Sequence, residues 1–339
     1  YNLNQFIYDC FNEMIVKVLK ECVMNEFKKF PSLENTYQVK PIQIAEELGF
    51  DKEQYIVTEK VHGANFSFHV YRTEDGVQIK CAKRTGFIED GEKFFNYKPV
   101  LEKYKSALID LHENVLDNDF ILYGEIFGGN IQSGMSYQED QDFIAFDLCV
   151  KQDEVFLPLN KLTLYSESFE ESGIPVVPLL GSYKSLQEAL QFNEYFDSKL
   201  TRINFDGKDE HKEAEGVVIE PIVPKWFPNG SRIYFKKKTK RFLEKGRKKI
   251  HKPVENLPKE LEGVLTQAFE YITEPRYSAV TSKIGEVTIK DIGKVMGFMT
   301  KDILEDMEKD SLIIPENKKF MKLLQQEVQN FIRPILLQN

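Results

Sequence analysis

The stretch Glu59-Lys60-Val61-His62-Gly63-Ala64-Asn65-Phe66-Ser67 contains the residue with the clearest chemical potential, Lys60. A lysine held rigidly in a turn between two strands can face a cleft, and once it has lost its proton its amine is a nucleophile. K-x-x-G alone says little, because it begins at Lys60, Lys83, Lys290 and Lys294 and solvated turn lysines are common. The setting separates Lys60 from the others. Tyr55-Ile56-Val57-Thr58-Glu59 before it is rich in strand formers, and Asn65 to Tyr71 after it alternates as a half-buried strand does. Two carboxylates sit on similar apolar runs, Glu125 within Phe120–Gly129 and Glu215 at the head of Gly216-Val217-Val218-Ile219. Burying such a charge is costly without a partner. In Arg232-Ile233-Tyr234-Phe235-Lys236-Lys237-Lys238, Lys236 and Lys238 share one face of a strand. That face belongs to a core only if anions meet it.

These groups need a scaffold, and the apolar spacing outlines one. Phe30-Pro31-Ser32-Leu33-Glu34-Asn35 is a loop or cap signal, followed by a short helix ended by Gly49. Val77 to Lys83 reads as a strand leading into Arg84-Thr85-Gly86, Pro99 to Leu116 as a helix, and Phe143 to Val150 as a strand with Phe146-Asp147 in its middle. Helices are expected near Leu162–Glu170 and Leu186–Phe196, flanking a short strand at Val176-Val177. Beyond Lys252 strand signals vanish, and helical spacing governs Leu257–Tyr271, Ile289–Asp306 and Asn317–Phe331. The basic, Pro-containing joint between Lys240 and Pro258 suits a hinge. Apolar residues from Phe6 to Val23 recur at three- and four-residue intervals, which predicts an amphipathic helix. The expected organisation is an N-terminal helical extension over 1–26, a β-rich domain over 27–245 and a helical domain over 246–339.

Composition sets the outer bounds. A chain of 339 residues, 42% hydrophobic and 12% aromatic, supports two folded domains. No apolar run approaches the roughly eighteen residues needed to cross a bilayer, and the first residues lack the features of a secretory signal. A soluble, intracellular protein of the cytoplasm is expected, not secreted and with no membrane partner. Cys10, Cys22, Cys81 and Cys149 lack paired spacing and read as reduced, buried thiols, and five scattered His residues argue against a structural zinc site. The net charge of −9 speaks against nucleic acid until its distribution is considered. Arg232 to Lys252 carries eleven basic residues and one acidic one, leaving 34 basic and 53 acidic elsewhere. Such a concentrated cationic segment attracts phosphates whatever the total charge.

Taken together, the pieces resemble the motif series of the covalent nucleotidyltransferases, the nucleic-acid ligases and capping enzymes. Within that superfamily the chain resembles the RNA ligase 2 family, which includes phage-type double-strand RNA ligases and relatives of the kinetoplastid RNA-editing ligases. The resemblance runs from about Phe27 to the C-terminus. It is carried by S-L-E-N at Ser32, E-K-V-H-G-A-N-F-S at Glu59, C-A-K-R-T-G at Cys81, F-F at Phe94 and G-E-I-F-G at Gly124. It continues through F-D at Phe146, A-E-G-V-V-I at Ala214, F-K-K-K at Phe235, and S-K-I-G-E with G-K-V-M-G in the helical part. It implies an α+β architecture, a nucleotidyltransferase domain of ATP-grasp-like antiparallel sheets followed by an all-helical C-terminal domain.

The resemblance also implies the chemistry of an ATP-dependent RNA ligase, AMP-forming, with ATP and Mg²⁺ (or Mn²⁺) as cofactors. Lys60 would be the nucleophile that forms lysyl-AMP, its pKa lowered by neighbouring cations, with His62 assisting. Glu59 would face the adenine amino group, Phe146 would stack on the ring, and Arg84 and Glu125 would hold the ribose and phosphate side. Asn65 would serve the later steps, Glu215 the metal and the transition state, and Lys236 and Lys238 the α-phosphate. Phe94 and Phe95 match residues that touch an RNA duplex, while Arg276, Asp302 and Asp306 match positions needed with the 5′ end. The implied partner is a nicked double-stranded or bridged RNA, engaged by a monomer. Departures are Glu220 where the phage type has lysine, Ala64 for a hydroxyl residue, Asp306 for a glutamate and Phe30 for a tyrosine. The competing readings are a DNA ligase or capping guanylyltransferase, and a non-catalytic RNA-end binding protein. The helical C-terminal part weighs against the first pair, which follow Lys236 with a β-barrel domain, and the intact lysine and carboxylate set weighs against the last.

Overall fold

The computed structural model describes residues 27–338 apart from 130, 133, 136, 154, 202–211 and 247–257. The expected amphipathic helix over 1–26 and part of the expected hinge lie outside the described residues. In chain order the strands are β1 (Glu34–Asn35), β2 (Tyr55–Glu59), β3 (Ala64–Thr73), β4 (Gly76–Lys83), β5 (Gly86–Phe87), β6 (Phe120–Phe127), β7 (Asp142–Gln152), β8 (Val155–Pro158), β9 (Leu179–Tyr183), β10 (Gly216–Pro221) and β11 (Phe235–Lys238). They form two sheets, ordered β1-β11-β10-β2-β9 and β5-β4-β3-β6-β7-β8. Every pairing is antiparallel except β1 with β11.

Lys60 lies in a turn between two strands, as expected, but those strands do not pair as a hairpin, because β2 is flanked by β10 and β9 while β3 is flanked by β4 and β6. The turn carrying Lys60 is the crossing from one sheet to the other. Gly63 makes that crossing possible, since a Cβ there would lie 2.3 Å from the Ile126 carbonyl oxygen. The alternation expected along Asn65–Tyr71 holds, but both faces are covered. Phe66, Phe68 and Val70 enter the main core, while Ser67 and His69 are buried on the other side. Burial pushes the His69 pKa down to about 3, leaving a neutral ring packed against Phe87 and Phe27.

The helices are α1 (Val39–Glu47), α2 (Tyr97–Asp110), α3 (Glu167–Glu170), α4 (Leu186–Leu190), α5 (Lys259–Phe269), α6 (Glu274–Ile284), α7 (Ile292–Lys309) and α8 (Lys318–Gln338). The last four enclose their own core, with Leu265, Tyr271, Val280, Met299, Phe320 and Val328 at its centre. Helix α6 was not anticipated, although Thr273 caps it by accepting from the Arg276 amide and Pro275 lies in its first turn. The helix expected over Leu162–Glu170 is a tight turn, Lys161–Tyr165, followed by the four residues of α3, and α4 stops well short of Phe196. Val176 makes one parallel bridge to Ala145, and the strand lies just beyond it, in β9. Cys81 and Cys149 are free and buried, as expected. Among the described residues no helix is long and apolar enough to cross a membrane.

Candidate active site

A cleft of about 510 Å³ opens where the two sheets and the helical part meet. Lys60 lies on it at the end of β2, and the register places Asn65 of β3 opposite Glu125 of β6, both lining the same space. Glu215 precedes β10, and Lys236 and Lys238 project from β11 to the cleft. Lys237, between them, points the other way and donates to the Leu190 and Phe192 carbonyls. The alternation of a strand therefore presents two lysines to the cleft and ties the third to the scaffold.

The carboxylates that this cationic face requires are present. Glu215 Oε1 meets Lys60 Nζ at 2.9 Å and Lys238 Nζ at 2.8 Å, and Oε2 meets His62 Nδ1 at 3.2 Å. The second anion is Glu244, whose Oε1 meets Lys238 Nζ at 2.6 Å and Lys236 Nζ at 3.3 Å. Burial alone would raise both carboxylates, but Lys238 and Lys60 hold Glu215, and Lys236 and Lys238 hold Glu244, well below the usual range. Lys238 is lowered by burial and raised more strongly by Glu215 and Glu244, so it stays charged. Lys236 is lowered, chiefly by burial. The cations expected beside Lys60 are accompanied by a carboxylate, since Glu215 Oε1 is shared between the Lys60 and Lys238 amines. Glu125 is pushed up to about 8 by burial, with Glu215 nearby adding to the rise and Lys60 opposing it.

Glu59 is buried, and its carboxylate accepts from Ser198 Oγ at 2.5 Å and the Lys199 amide at 2.9 Å. Arg84, in the turn between β4 and β5, donates to the Pro31 carbonyl and Ser32 Oγ. The His62 amide donates to the Tyr137 hydroxyl at 2.9 Å, and its ring rests edge-on against Phe242 at 4.9 Å. At the apolar end, Phe146 lines the cleft near Val177 and Val218. Phe30 lines the cleft and packs against Phe146, Tyr123 and Tyr234, with the Arg84 guanidinium 5.9 Å from its ring centroid. Ala64 is likewise fully buried in the core. The charge reversal at Glu220 is matched in space by Lys161, whose Nζ lies 3.0 Å from Glu220 Oε2.

Two RNA-contact expectations are corrected. Phe94 is fully buried and stacks on Phe66, so a duplex cannot touch it, whereas Phe95 is half-buried. Arg276 is also fully buried. It pairs with Asp302, and with Asp306 at 2.7 Å, and donates to the Tyr271 carbonyl at 2.9 Å, so it has no donor facing outward. Asp302 and Asp306 do line the cleft. Glu244, Asp302 and Asp306 bring carboxylate oxygens within 4.8 Å of one another, yet Lys236, Lys238, Lys283 and Arg276 already neutralise them.

Sequence reasoning missed Glu244, Lys161 and Gln132. Gln132 Nε2 joins the Gly63 carbonyl to that of Ser278 in α6. Glu244 carried a signal, as the lone acid in the Arg232–Lys252 run. Lys161 and Gln132 had none, because their partners are remote in the chain.

The family described as RNA ligase matches residues 53–238, and that described as T4 RNA ligase 2 C-terminal matches residues 254–337. The chain belongs to the RNA ligase family. It is 28% identical over 160 residues to the mitochondrial RNA-editing ligase 2 of Trypanosoma brucei brucei, covering 38% of each chain. It is 28% identical over 95 residues to RNA-editing ligase 1 of that organism, covering 26% of this chain and 20% of the relative. The chain thus spans well under half the length of these relatives. Among solved structures, a Naegleria gruberi RNA ligase without ligand is 20% identical, with 64% of this chain and 57% of that chain covered and a TM-score of 0.46. The same ligase with AMP and Mn is 19% identical, with 65% and 59% covered and a TM-score of 0.46.

Proposed function

We propose that the protein is an ATP-dependent RNA ligase that works through a covalent lysyl-AMP at Lys60. The observation that carries this reading is one shared oxygen, Glu215 Oε1, which holds Lys60 and Lys238 side by side in the cleft. Such an arrangement sets an amine nucleophile next to a fixed positive charge, as displacement at a phosphate demands. Once the Lys60 ammonium has released a proton to solvent, its Nζ lone pair attacks the α-phosphorus of ATP. The bond to the pyrophosphate oxygen breaks with pyrophosphate leaving, and the nitrogen gives a second proton to solvent to leave a phosphoramidate with a neutral nitrogen. Lys236 and Lys238 neutralise the α-phosphate, Phe146 and Val218 take the two faces of the base, and Arg84 and Glu125 hold the sugar and phosphate. The AMP then passes to the 5′-phosphate of an RNA strand, and a neighbouring 3′-OH displaces AMP to close the phosphodiester.

A divalent Mg²⁺ or Mn²⁺ fits the donors present. Glu215 and Glu125 are hard oxygen ligands lining one cleft, and although burial is the main cause of the raised Glu125 pKa, the neighbouring charge of Glu215 adds to it, a part that a cation would relieve. When bound, the ion supplies charge neutralisation at the phosphate oxygens. In this reading residues 27–245 form the nucleotidyl-transfer domain and 246–339 the helical domain, the protein is soluble and acts as a monomer, and the substrate is a nicked or bridged RNA duplex. Recognition would follow duplex shape, 2′-OH groups and phosphates, with little dependence on base sequence.

Incubation with α-labelled ATP and Mg²⁺ tests this directly. Wild type should gain one acid-labile adenylate that Lys60→Ala lacks, and GTP should fail to label. A panel of nicked duplexes with RNA or DNA at the 3′-OH side then defines the polynucleotide. Absence of both labelling and sealing would leave a non-catalytic RNA-end binding protein.

A further inference from the structure

We propose that Lys161 is a positioning residue for the nucleobase wall, holding the Phe146 backbone in the bulge that turns its ring to the cleft. The inference rests on the reading of Phe146 as the base-stacking residue.

The ladder between β6 and β7 carries the argument. Tyr123 pairs with Asp147 and Gly124 with Ala145, so Phe146 has no partner across the ladder. It is the extra residue of a β-bulge, a device that bends a strand, redirects a side chain and leaves the bulged residue outside the regular pairing. Lys161 Nζ donates to the Phe146 carbonyl at 3.0 Å. The same ammonium forms ion pairs with Asp147 Oδ1 at 2.9 Å and Glu220 Oε2 at 3.0 Å.

Lys161 is 2% exposed, and its backbone is fixed as well as its tip. The Lys161 amide donates to the Ile222 carbonyl just past β10, and the Leu159 amide donates to the Leu148 carbonyl of β7. The segment therefore spans both sheets at the apolar end of the cleft. Asp147 has independent support, from Arg232 at 2.6 Å and Tyr234 at 2.5 Å, and its own pKa is held below normal by Lys161 and Arg232 against the effect of burial. Glu220, on β10, lines the cleft two residues beyond Val218, on the same face of the strand. Lys161 thus ties the bulge in one sheet to the opposite wall of the base slot in the other.

A purely structural lysine and a positioning lysine give different results. Buried ion pairs can often be replaced by apolar residues of similar volume without loss of stability. The double variant Lys161→Met with Glu220→Leu should therefore fold with a Tm near that of wild type, and it remains available if Lys161→Met alone does not fold. Both lose the donor to the Phe146 carbonyl, a charge-assisted bond in a buried site. The Kd for ATP, by equilibrium binding, should rise about tenfold, while the single-turnover rate of adenylate transfer to Lys60 at saturating ATP stays within about threefold. In a Phe146→Ala background the same change should add less than about twofold, because groups acting through one another are not additive. An unchanged Kd, or an effect that adds fully to Phe146→Ala, overturns the proposal while leaving the ligase reading intact. A Phe146→Ala variant that binds ATP as wild type does removes the premise, and a wild type that never binds ATP removes the reading itself.

Discussion

Replacing Glu244 by glutamine keeps its shape and a hydrogen-bond acceptor but removes the charge shared by Lys236 and Lys238, at 3.3 and 2.6 Å. Lys238 keeps Glu215 at 2.8 Å, whereas Lys236 has no second carboxylate among the described ion pairs. Breaking a buried pair by removing one partner costs roughly 3–5 kcal/mol. With Lys238 still paired, the lower end applies, about 3 kcal/mol. For a body of about 200 residues this corresponds to roughly 6–12 °C in Tm. ATP brings negative charge to the same amines, so nucleotide should recover part of the loss, and the ATP-induced rise in Tm should be larger in Glu244→Gln than in wild type. The dependence on pH has a definite sign. Because the folded pKa of Glu244 lies well below 4.5, its stabilisation is complete above that value and is lost as the pH falls through the lower folded one. The gap between variant and wild type should therefore close in acid. Thermal melts at pH 7.5 with and without ATP and Mg²⁺, and at pH 4 and below, measure all three effects. A neutral-pH loss below about 2 °C, or an ATP shift no larger than that of wild type, would refute the assignment of Glu244 as the counter-ion of the phosphate lysines.

Glu125 gives a second pH signature of opposite sign. Held up to about 8 against an ordinary value of 4.5, it carries a proton in the folded state that the unfolded chain lacks between those values. Stability conferred by the wild-type residue therefore falls as pH rises through that window. Glu125→Gln should gain on wild type from pH 4.5 to 8 and hold a constant lead above it, whereas parallel melting curves would contradict the shift. Gly216 has φ 145° and a Cβ position 2.1 Å from the Lys237 carbonyl oxygen. Gly216→Ala should cost more than about 2 kcal/mol and displace Glu215 and β11 together. Urea denaturation and adenylate labelling would show both losses, and a variant as stable as wild type would exclude a tight backbone contact there.

Much of the site was legible because its residues sit on strands whose local pattern reveals them. Lys60 after a β-rich run, Glu125 and Glu215 as isolated acids among apolar neighbours, and Lys236 and Lys238 at a spacing of two all follow from the period of a strand. The helical C-terminal part was legible for the same reason, with a longer period. Failures arose where local pattern says nothing of what lies on the far side. Phe94 and Arg276 carry the residue types of a contact surface, yet one is core and the other is surrounded by acids and carbonyls. The helix expected over Leu162–Glu170 is instead the turn Lys161–Tyr165 and the four residues of α3, a run too short for helical spacing to be decisive.

The sequence by itself determined the division into a β-rich part and a helical C-terminal part, the strands that carry the site, the lysine to examine, and which charges share a face of a strand. Only tertiary structure decided that Lys60 crosses between two sheets, that Glu244 returns to cover the two lysines, and that Phe146 is bulged and held by Lys161. Periodicity reports which residues share a face of one element, whereas these three features depend on how the chain turns back or crosses beyond that element, where the need to satisfy buried charge and backbone selects the partner.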